Sequence, residues 1–181
     1  LTRQEKVAYS SVNHGRTDKR LRSGVGMFVR SVPMLADADP SQRVIDFVRS
    51  QRAELMSTIR YGAYPFTHFC SDLQMKPGVT FNFMGVANMV EYMVVDGVKI
   101  RAVQPVQKET DSDLSVDIYL KDDNYEIRVD SSLAMNDAST LQMVAETMKV
   151  AVNNMMAHPE LTLGELDIVS ADERLALVKL G

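Results

Sequence analysis

Two neighbouring stretches, residues 114–120 and 125–129, alternate apolar and polar side chains. Val116, Ile118 and Leu120 fall on one side of the first. Tyr125, Ile127 and Val129 fall on one side of the second, and Asp122-Asp123-Asn124 lies at the bend. A period of two puts successive side chains on opposite faces of a pleated strand. The pattern therefore commits the chain to an antiparallel hairpin with one face on a core and one toward water, and it excludes an all-helical fold. Asp96-Gly97, between residues 92–95 and 98–101, marks a second hairpin, because this dipeptide supplies the positive φ angles of a two-residue turn. Three more strands are expected. Residues 7–12 end at Asn13-His14-Gly15. Residues 25–32 are apolar after Gly24, and Pro33 either ends them or places them at a sheet edge. In residues 79–84, Val79, Phe81 and Phe83 share a side.

The clearest helix covers residues 39–61. Asp39 suits its cap, Pro40 its first position, and Gln42 closes a capping box. Val44, Val48, Leu55 and Ile59 recur at helical spacing, widened by Ile45 and Met56. Arg43, Arg49, Arg52 and Glu54 lie opposite, and Gly62 stops the helix. Pro65 opens a short helix over 66–73. Residues 137–157 read as a long amphipathic helix ended by His158-Pro159, with Leu141, Val144, Ala145, Met148, Val152 and Met155 inward. Ser170-Ala171-Asp172-Glu173 is a capping box for a terminal helix over 172–178, and residues 85–93 are ambiguous. Strands and helices do not alternate regularly, so a doubly wound parallel fold is disfavoured. The expected class is α/β in the broad sense: an α+β two-layer sandwich, a mixed β-sheet with helices on one face.

The 181 residues fit one domain or one large subdomain. A formal net charge of -4 argues against nucleic acid as the main partner, since phosphate binding wants a basic surface. The one basic run, Arg16, Lys19, Arg20 and Arg22 around Asp18, reads as a solvated loop. Cys70 is the only cysteine, so no disulfide forms within the chain, and a reducing, cytoplasmic setting is expected. Cys70 itself reads as a small core residue. No apolar run approaches the roughly 18 residues of a membrane span. The polar residues 1–6 do not resemble a signal peptide, and the start at Leu1 rather than methionine reads as a piece of something longer.

Reactive chemistry is sparse. His14, His68 and His158 are far apart, and none stands in a metal-ligand spacing. His158 suits a helix end, where a cation complements the dipole. His68 fits packing or surface. His14 is the most interesting, at a strand end beside Gly15 and Arg16, where side chains often project into clefts. Gly24-Val25-Gly26 lacks the third glycine of a dinucleotide fingerprint. Neither a Walker motif nor a G-x-S-x-G elbow occurs. Asp122-Asp123 belongs to a turn. No nucleophile, base and orienter can be assembled from these residues.

Read in order, however, the segments resemble the condensation domains of nonribosomal peptide synthetases. Val12-Asn13-His14-Gly15-Arg16 looks like the family strand that ends in Gly-Arg. Val25-Gly26-Met27-Phe28-Val29 matches the "IGMFV" segment and is the most specific piece. Tyr64-Pro65-Phe66 matches the "(Y/V)PFE" segment, Asp113-Leu114-Ser115-Val116 the "fDLsl" strand, and residues 161–173 the run that joins such a domain to the next module. The chain departs from "FVNT" with Arg30-Ser31, and Thr67 replaces the glutamate after Pro65-Phe66.

The resemblance implies a chloramphenicol acetyltransferase-like fold of two lobes forming a V. Residues 1–160 would be the carboxy-terminal lobe, and 161–181 a linker-like segment toward an adenylation domain. The family's "HHxxxDG" motif belongs to the other lobe and has no match here, so no catalytic residue is expected in this chain, nor a metal ligand. The resemblance implies one wall of a tunnel in which carrier-bound thioesters are joined by an amide bond, with His14, Gly15, Arg16, Met27, Arg30 and Asn82 as candidates to line it. It implies no directly bound cofactor. The phosphopantetheine arms of peptidyl carrier proteins would enter, and the amino-terminal lobe, carrier proteins and adenylation domain would be the partners, with no nucleic acid and no membrane. An epimerisation lobe and a non-catalytic carrier-docking module are the alternatives. A lobe parted from its companion is also expected to expose apolar surface.

Overall fold

The computed structural model describes residues 6–16, 18–62, 64–74, 77–85, 92–101, 112–121, 123–131, 137–169 and 174. Along the chain run β1 (Lys6–Asn13), β2 (Arg30–Asp37), α1 (Val44–Arg60), α2 (Phe66–Asp72), β3 (Val79–Gly85), β4 (Tyr92–Val95), β5 (Val98–Arg101), β6 (Leu114–Lys121), β7 (Asn124–Ser131) and α3 (Ala138–Ala157). Among the described residues, five strands form one mixed sheet in the order β2-β1-β3-β6-β7. Its outer pairs, β1 with β2 and β6 with β7, are antiparallel, and its inner pairs, β1 with β3 and β3 with β6, are parallel.

Register decides which side chains share a face. Tyr9 stands opposite Met34 and Ser11 opposite Val32. Phe81 pairs with Ser11 and with Val116, and Val116 with Val129. Directly paired residues point the same way, so these side chains make one apolar face across all five strands. Val32, Met34 and Val116 are its most deeply buried members, and the Tyr9 and Phe81 rings meet edge to face at 6.4 Å. The other face is polar. Ser10, 5% exposed, shares a 2.8 Å hydrogen bond with Thr80, and Arg128 pairs with Asp130 at 2.7 Å. Helices α1 and α2 pack against β2, and α3 against β7, so the second layer covers the two ends of the sheet. The expected α+β arrangement, a mixed sheet under helices, is the one observed.

Both hairpins form where the turn signals put them. Asp96 and Gly97 adopt φ of 50° and 79° between β4 and β5, and Asp123 adopts 61° between β6 and β7. β4 and β5 make a separate two-stranded sheet, with Val94 and Val98 exposed. The cap of α3 is also as read: the Asp137 carboxylate accepts from the Thr140 amide at 2.8 Å. That bond holds the Asp137 carboxyl below its ordinary range. The inner stripe of α3 differs at one place, because Thr147 is buried while Val152 is exposed.

Two boundaries differ more. The strand expected over residues 25–32 starts only at Arg30 and runs on through Pro33 to Asp37. Gly26, with φ of 150°, lets residues 24–29 form a loop, and Val25 and Met27 stand in solvent. Pro33 is tolerated because β2 is the outermost strand, where a missing N–H need not break a ladder. Helix α1 begins at Val44, not at Asp39. Asp39 instead turns back on Ser41, accepting from its amide at 2.9 Å and its hydroxyl at 2.8 Å. The first amides of α1 are satisfied from far along the chain: Val44 N–H donates to the Leu161 carbonyl at 2.8 Å and Ile45 N–H to that of Pro159 at 3.0 Å. Leu163 and Gly164 donate in return to the carbonyls of Gln42 and Pro40. A tertiary strap therefore replaces the local capping box. The inner side of α1 accordingly centres on Val44, while Val48 and Met56 are exposed. None of the described helices is long and apolar enough to cross a membrane. The ambiguous stretch at 86–91 and the capping box at 170–173 lie outside the described residues, as does the terminal helix apart from Arg174.

Candidate functional site

Because β1, β3 and β6 run parallel, their carboxyl ends lie along one edge of the sheet, and β2 starts there too, with Arg30 opposite Asn13. In open sheets of this kind ligands sit outside the carboxyl ends of the parallel strands. His14, Gly15 and Arg16 leave β1 at this edge, Met27 lies in the loop that returns, Arg30 opens β2, and Asn82 sits within the last four residues of β3.

The loop is built around Gly15 and Arg16. Gly15 has φ of 68°, and its amide donates to Asn13 Oδ1 at 2.7 Å. A Cβ here would stand 1.8 Å from the carbonyl oxygen of Phe28, so no other residue fits. The Arg16 amide donates to His14 Nδ1 at 2.9 Å, which assigns the remaining proton of the neutral imidazole to Nε2. The Arg16 guanidinium donates from Nη1 to the carbonyls of Leu21 at 2.5 Å and Gly24 at 2.7 Å, and from Nη2 to Gly26 at 3.3 Å. Its plane also lies 4.4 Å from the centroid of the Phe28 ring. Only a planar fork with several donors can gather three carbonyls and an aromatic face at once. Arg16 thus leaves the basic run and folds residues 21–28 about itself. Of the rest of that run, Asp18 caps a 3-10 turn, Lys19–Leu21, and pairs with Arg20 at 2.6 Å. That hydrogen bond lowers the Asp18 carboxyl from its usual range.

The product of this wiring is a presented apolar tip: Met27 is 91% exposed, and Val25 and Val29 flank it in the open. Arg30 is committed differently. Its Nη1 donates to the Gly62 carbonyl at 2.9 Å, tying the start of β2 to the end of α1. Asn82 points to the face opposite Phe81, and its amide donates to Met84 Sδ at 2.8 Å. His14, Gly15, Arg16 and Met27 therefore form one unit, Arg30 adjoins it across the β1–β2 pair, and Asn82 stands apart on β3. Sequence reading missed Asn13 and Phe28. The Asn-x-Gly spacing of Asn13 and Gly15 was a usable turn signal. The stacking of Phe28 on Arg16 had none. Among the described residues, no group of three or more His, Cys, Asp or Glu side chains is arranged to hold a metal ion.

A family model described as Condensation domain matches residues 1–178. Among curated proteins the chain is similar to surfactin synthase subunit 1 of Bacillus subtilis, 25% identical over 97% of this chain and 5% of that protein. It is also similar to tyrocidine synthase 3 of Brevibacillus parabrevis, 20% identical over 98% of this chain and 3% of that protein. The chain thus spans less than a tenth of these relatives. Among solved structures it matches a four-domain nonribosomal peptide synthetase bound to AMP and glycine, with a TM-score of 0.81 and 16% identity, covering 93% of this chain and 14% of that one. A mutant starter condensation domain of the rhizomide synthetase matches with a TM-score of 0.75 and 16% identity, over 93% of this chain and 41% of that one. Such likeness establishes the chloramphenicol acetyltransferase-like architecture. With nearly its whole length matched by one family model, the chain belongs to the condensation domain family of nonribosomal peptide synthetases.

Proposed function

We propose that this chain is the carboxy-terminal lobe of a condensation domain and forms one wall of the tunnel in which carrier-bound thioesters are joined by an amide bond. The observation that carries this reading is a disproportion: solved condensation domains match over 93% of this chain but only about two-fifths of their own length, as one lobe of two would. The exposed apolar tip at Val25, Met27 and Val29 agrees with a surface that a companion lobe covers.

In this reading the other lobe carries the HHxxxDG motif and supplies general-base help, typically worth about 10²–10⁴-fold. This lobe supplies orientation, holding two tethered reactants in line. Gly15 and Arg16 shape the 14–29 loop, Met27 and His14 face the tunnel, Arg30 braces β2 on α1, and Asn82 lines the β3 side. Residues 1–160 are the lobe, and residues 161–181 lead toward an adenylation domain. The partners are the amino-terminal lobe and peptidyl carrier proteins whose phosphopantetheine arms deliver the reactants, in the cytoplasm.

The test is an amide-formation assay with two loaded carrier proteins. The 181-residue chain alone should give no product, and adding a companion lobe with its histidine motif should give dipeptidyl product. Product from the chain alone would refute the division of labour. Carrier binding without product in the combined lobes would favour a docking module, and inversion of a carrier-bound α-carbon would favour epimerisation.

A further inference from the structure

Edge strand β2 and helices α1 and α2 line an open cavity of about 560 Å³. Its wall is apolar, built from Val32, Met34, Leu35, Phe69, Leu73 and Pro77. Val32 and Met34 are 2% and 4% exposed, so the sheet side of the wall is anchored in the core. A concavity of this size, mostly apolar with few polar groups, is what small-molecule sites look like. It shares no lining residue with the six tunnel candidates.

The polar inventory narrows the ligand. Among the described residues, Glu54 is the one formally charged side chain on the lining. Two nearby cations, Arg43 just before α1 and Arg49 within it, are turned to Asp46 instead, at 2.7 and 3.5 Å. At the rim the Tyr64 hydroxyl donates to Asp72, which places a second carboxylate behind it. Arg30 lies beyond Gly62, lining the adjoining cleft, with its guanidinium held by the Gly62 carbonyl. A carboxylate only accepts hydrogen bonds, and this one belongs to an exposed residue on a lining otherwise rich in methyl groups and rings. Burial pushes the nearby Tyr9 phenol upward and the Glu54 charge adds to that, so the negative field reaches the sheet. An anion entering here meets repulsion and finds no cation among the described lining residues, whereas a neutral hydrocarbon uses only the apolar part.

We propose that the cavity between β2, α1 and α2 binds aliphatic primary amines, the chain lying against Val32, Met34, Phe69 and Leu73 and the ammonium on Glu54. The site does not depend on the lobe assignment, and its test does not involve amide formation.

The test titrates octylammonium chloride, 1-octanol and sodium octanoate into the chain labelled at its methionine methyls with carbon-13, reading the Met34 signal. Octylammonium should move Met34 saturably while exposed Met27 and Met156 stay still. It should bind about fivefold more tightly than octanol, the upper range for a partly solvated ion pair, with octanoate weakest. Glu54→Gln should bring octylammonium down to the octanol level and leave octanol unchanged. Leu73→Trp should abolish binding of all three by filling the cavity. Where that variant loses its far-ultraviolet dichroism, Thr58→Trp, on the α1 side of the lining, replaces it. The proposal falls if Met34 shows no saturable shift, if octanoate binds as well as octylammonium, or if the filled variant binds undiminished.

Discussion

Replacing Gly15 with alanine probes the loop that carries the tunnel candidates. Two costs follow from the structure. Gly15 has φ of 68°, and alanine in that left-handed region costs about 1–2 kcal/mol. A stiffer unfolded chain returns roughly 0.4–1 kcal/mol. The second cost is overlap, since the new Cβ would sit 1.8 Å from the Phe28 carbonyl oxygen, and that is backbone rather than a yielding side-chain tip. Phe28 must move, and with it the ring on which Arg16 rests. Gly85 provides the control. Its φ is 63°, it lies in the same sheet, and its nearest neighbour to a built Cβ is the Phe83 ring at 3.9 Å. Gly85→Ala should therefore show the backbone cost alone, about 1 kcal/mol after the offset. Gly15→Ala should cost at least ~2 kcal/mol. For a chain of this size that means a melting temperature lower by about 4–8 °C, against about 2–4 °C for the control. Hydrogen exchange localises the effect, because the Leu21 and Gly24 amides bond inside the loop, to the carbonyls of Asp18 and Leu21. Their protection should fall in Gly15→Ala and hold in Gly85→Ala. Equal melting shifts with unchanged loop protection would refute the claim that Phe28 blocks a side chain here.

Arg16→Lys keeps the charge but cannot gather three carbonyls, so cleavage by trypsin within residues 19–22 should rise by about tenfold, the scale of one charged hydrogen bond lost; an unchanged rate would remove Arg16 as the loop's organiser. Val44→Ala empties a site 2% exposed and should cost about 2–3 kcal/mol in urea unfolding with an unchanged slope; a loss below ~0.5 kcal/mol would show that the strap from residues 159–164 does not pack on α1. The Asp137 carboxyl is lowered chiefly by the Thr140 amide. Its contribution is complete above the unfolded carboxyl value, near pH 4, and is lost as pH falls through the depressed folded value. Wild-type helicity at 222 nm should thus decline on acidification in a step that Asp137→Asn, which caps without titrating, reduces; identical acid profiles would exclude Asp137 as a titrating cap.

How much of this is legible from residues alone depends on the range of the interaction. Asp137 caps α3 through Thr140, three residues on, and Asp96-Gly97 turns within its own hairpin, so both are readable. The start of α1 is not, because Asp39 with Gln42 fits the capping pattern, yet the amides of Val44 and Ile45 are satisfied from Leu161 and Pro159. β2 reads too early because Val25, Met27 and Val29 have the pattern of a strand; their exposure follows from a loop wound around Arg16. Within the candidate site, His14, Gly15 and Arg16 stand out at a strand end, but three carbonyl acceptors have no sequence signature. The cavity beside Glu54 is invisible in the sequence, since it arises from three elements distant in the chain.

The sequence by itself determined the local periods, the turn chemistry, the order of strands and helices, and through ordered segment matches the family. These depend on side-chain alternation and φ preference, which act over a few residues. Tertiary structure alone decided that 159–164 would cap α1, that Arg16 would turn from a basic run into a carbonyl cage, and that β2 would sit at the edge where Pro33 is harmless. Each of these satisfies a backbone donor or acceptor from a distant part of the chain or spares one at an edge, and such requirements become visible only when the chain has folded back on itself.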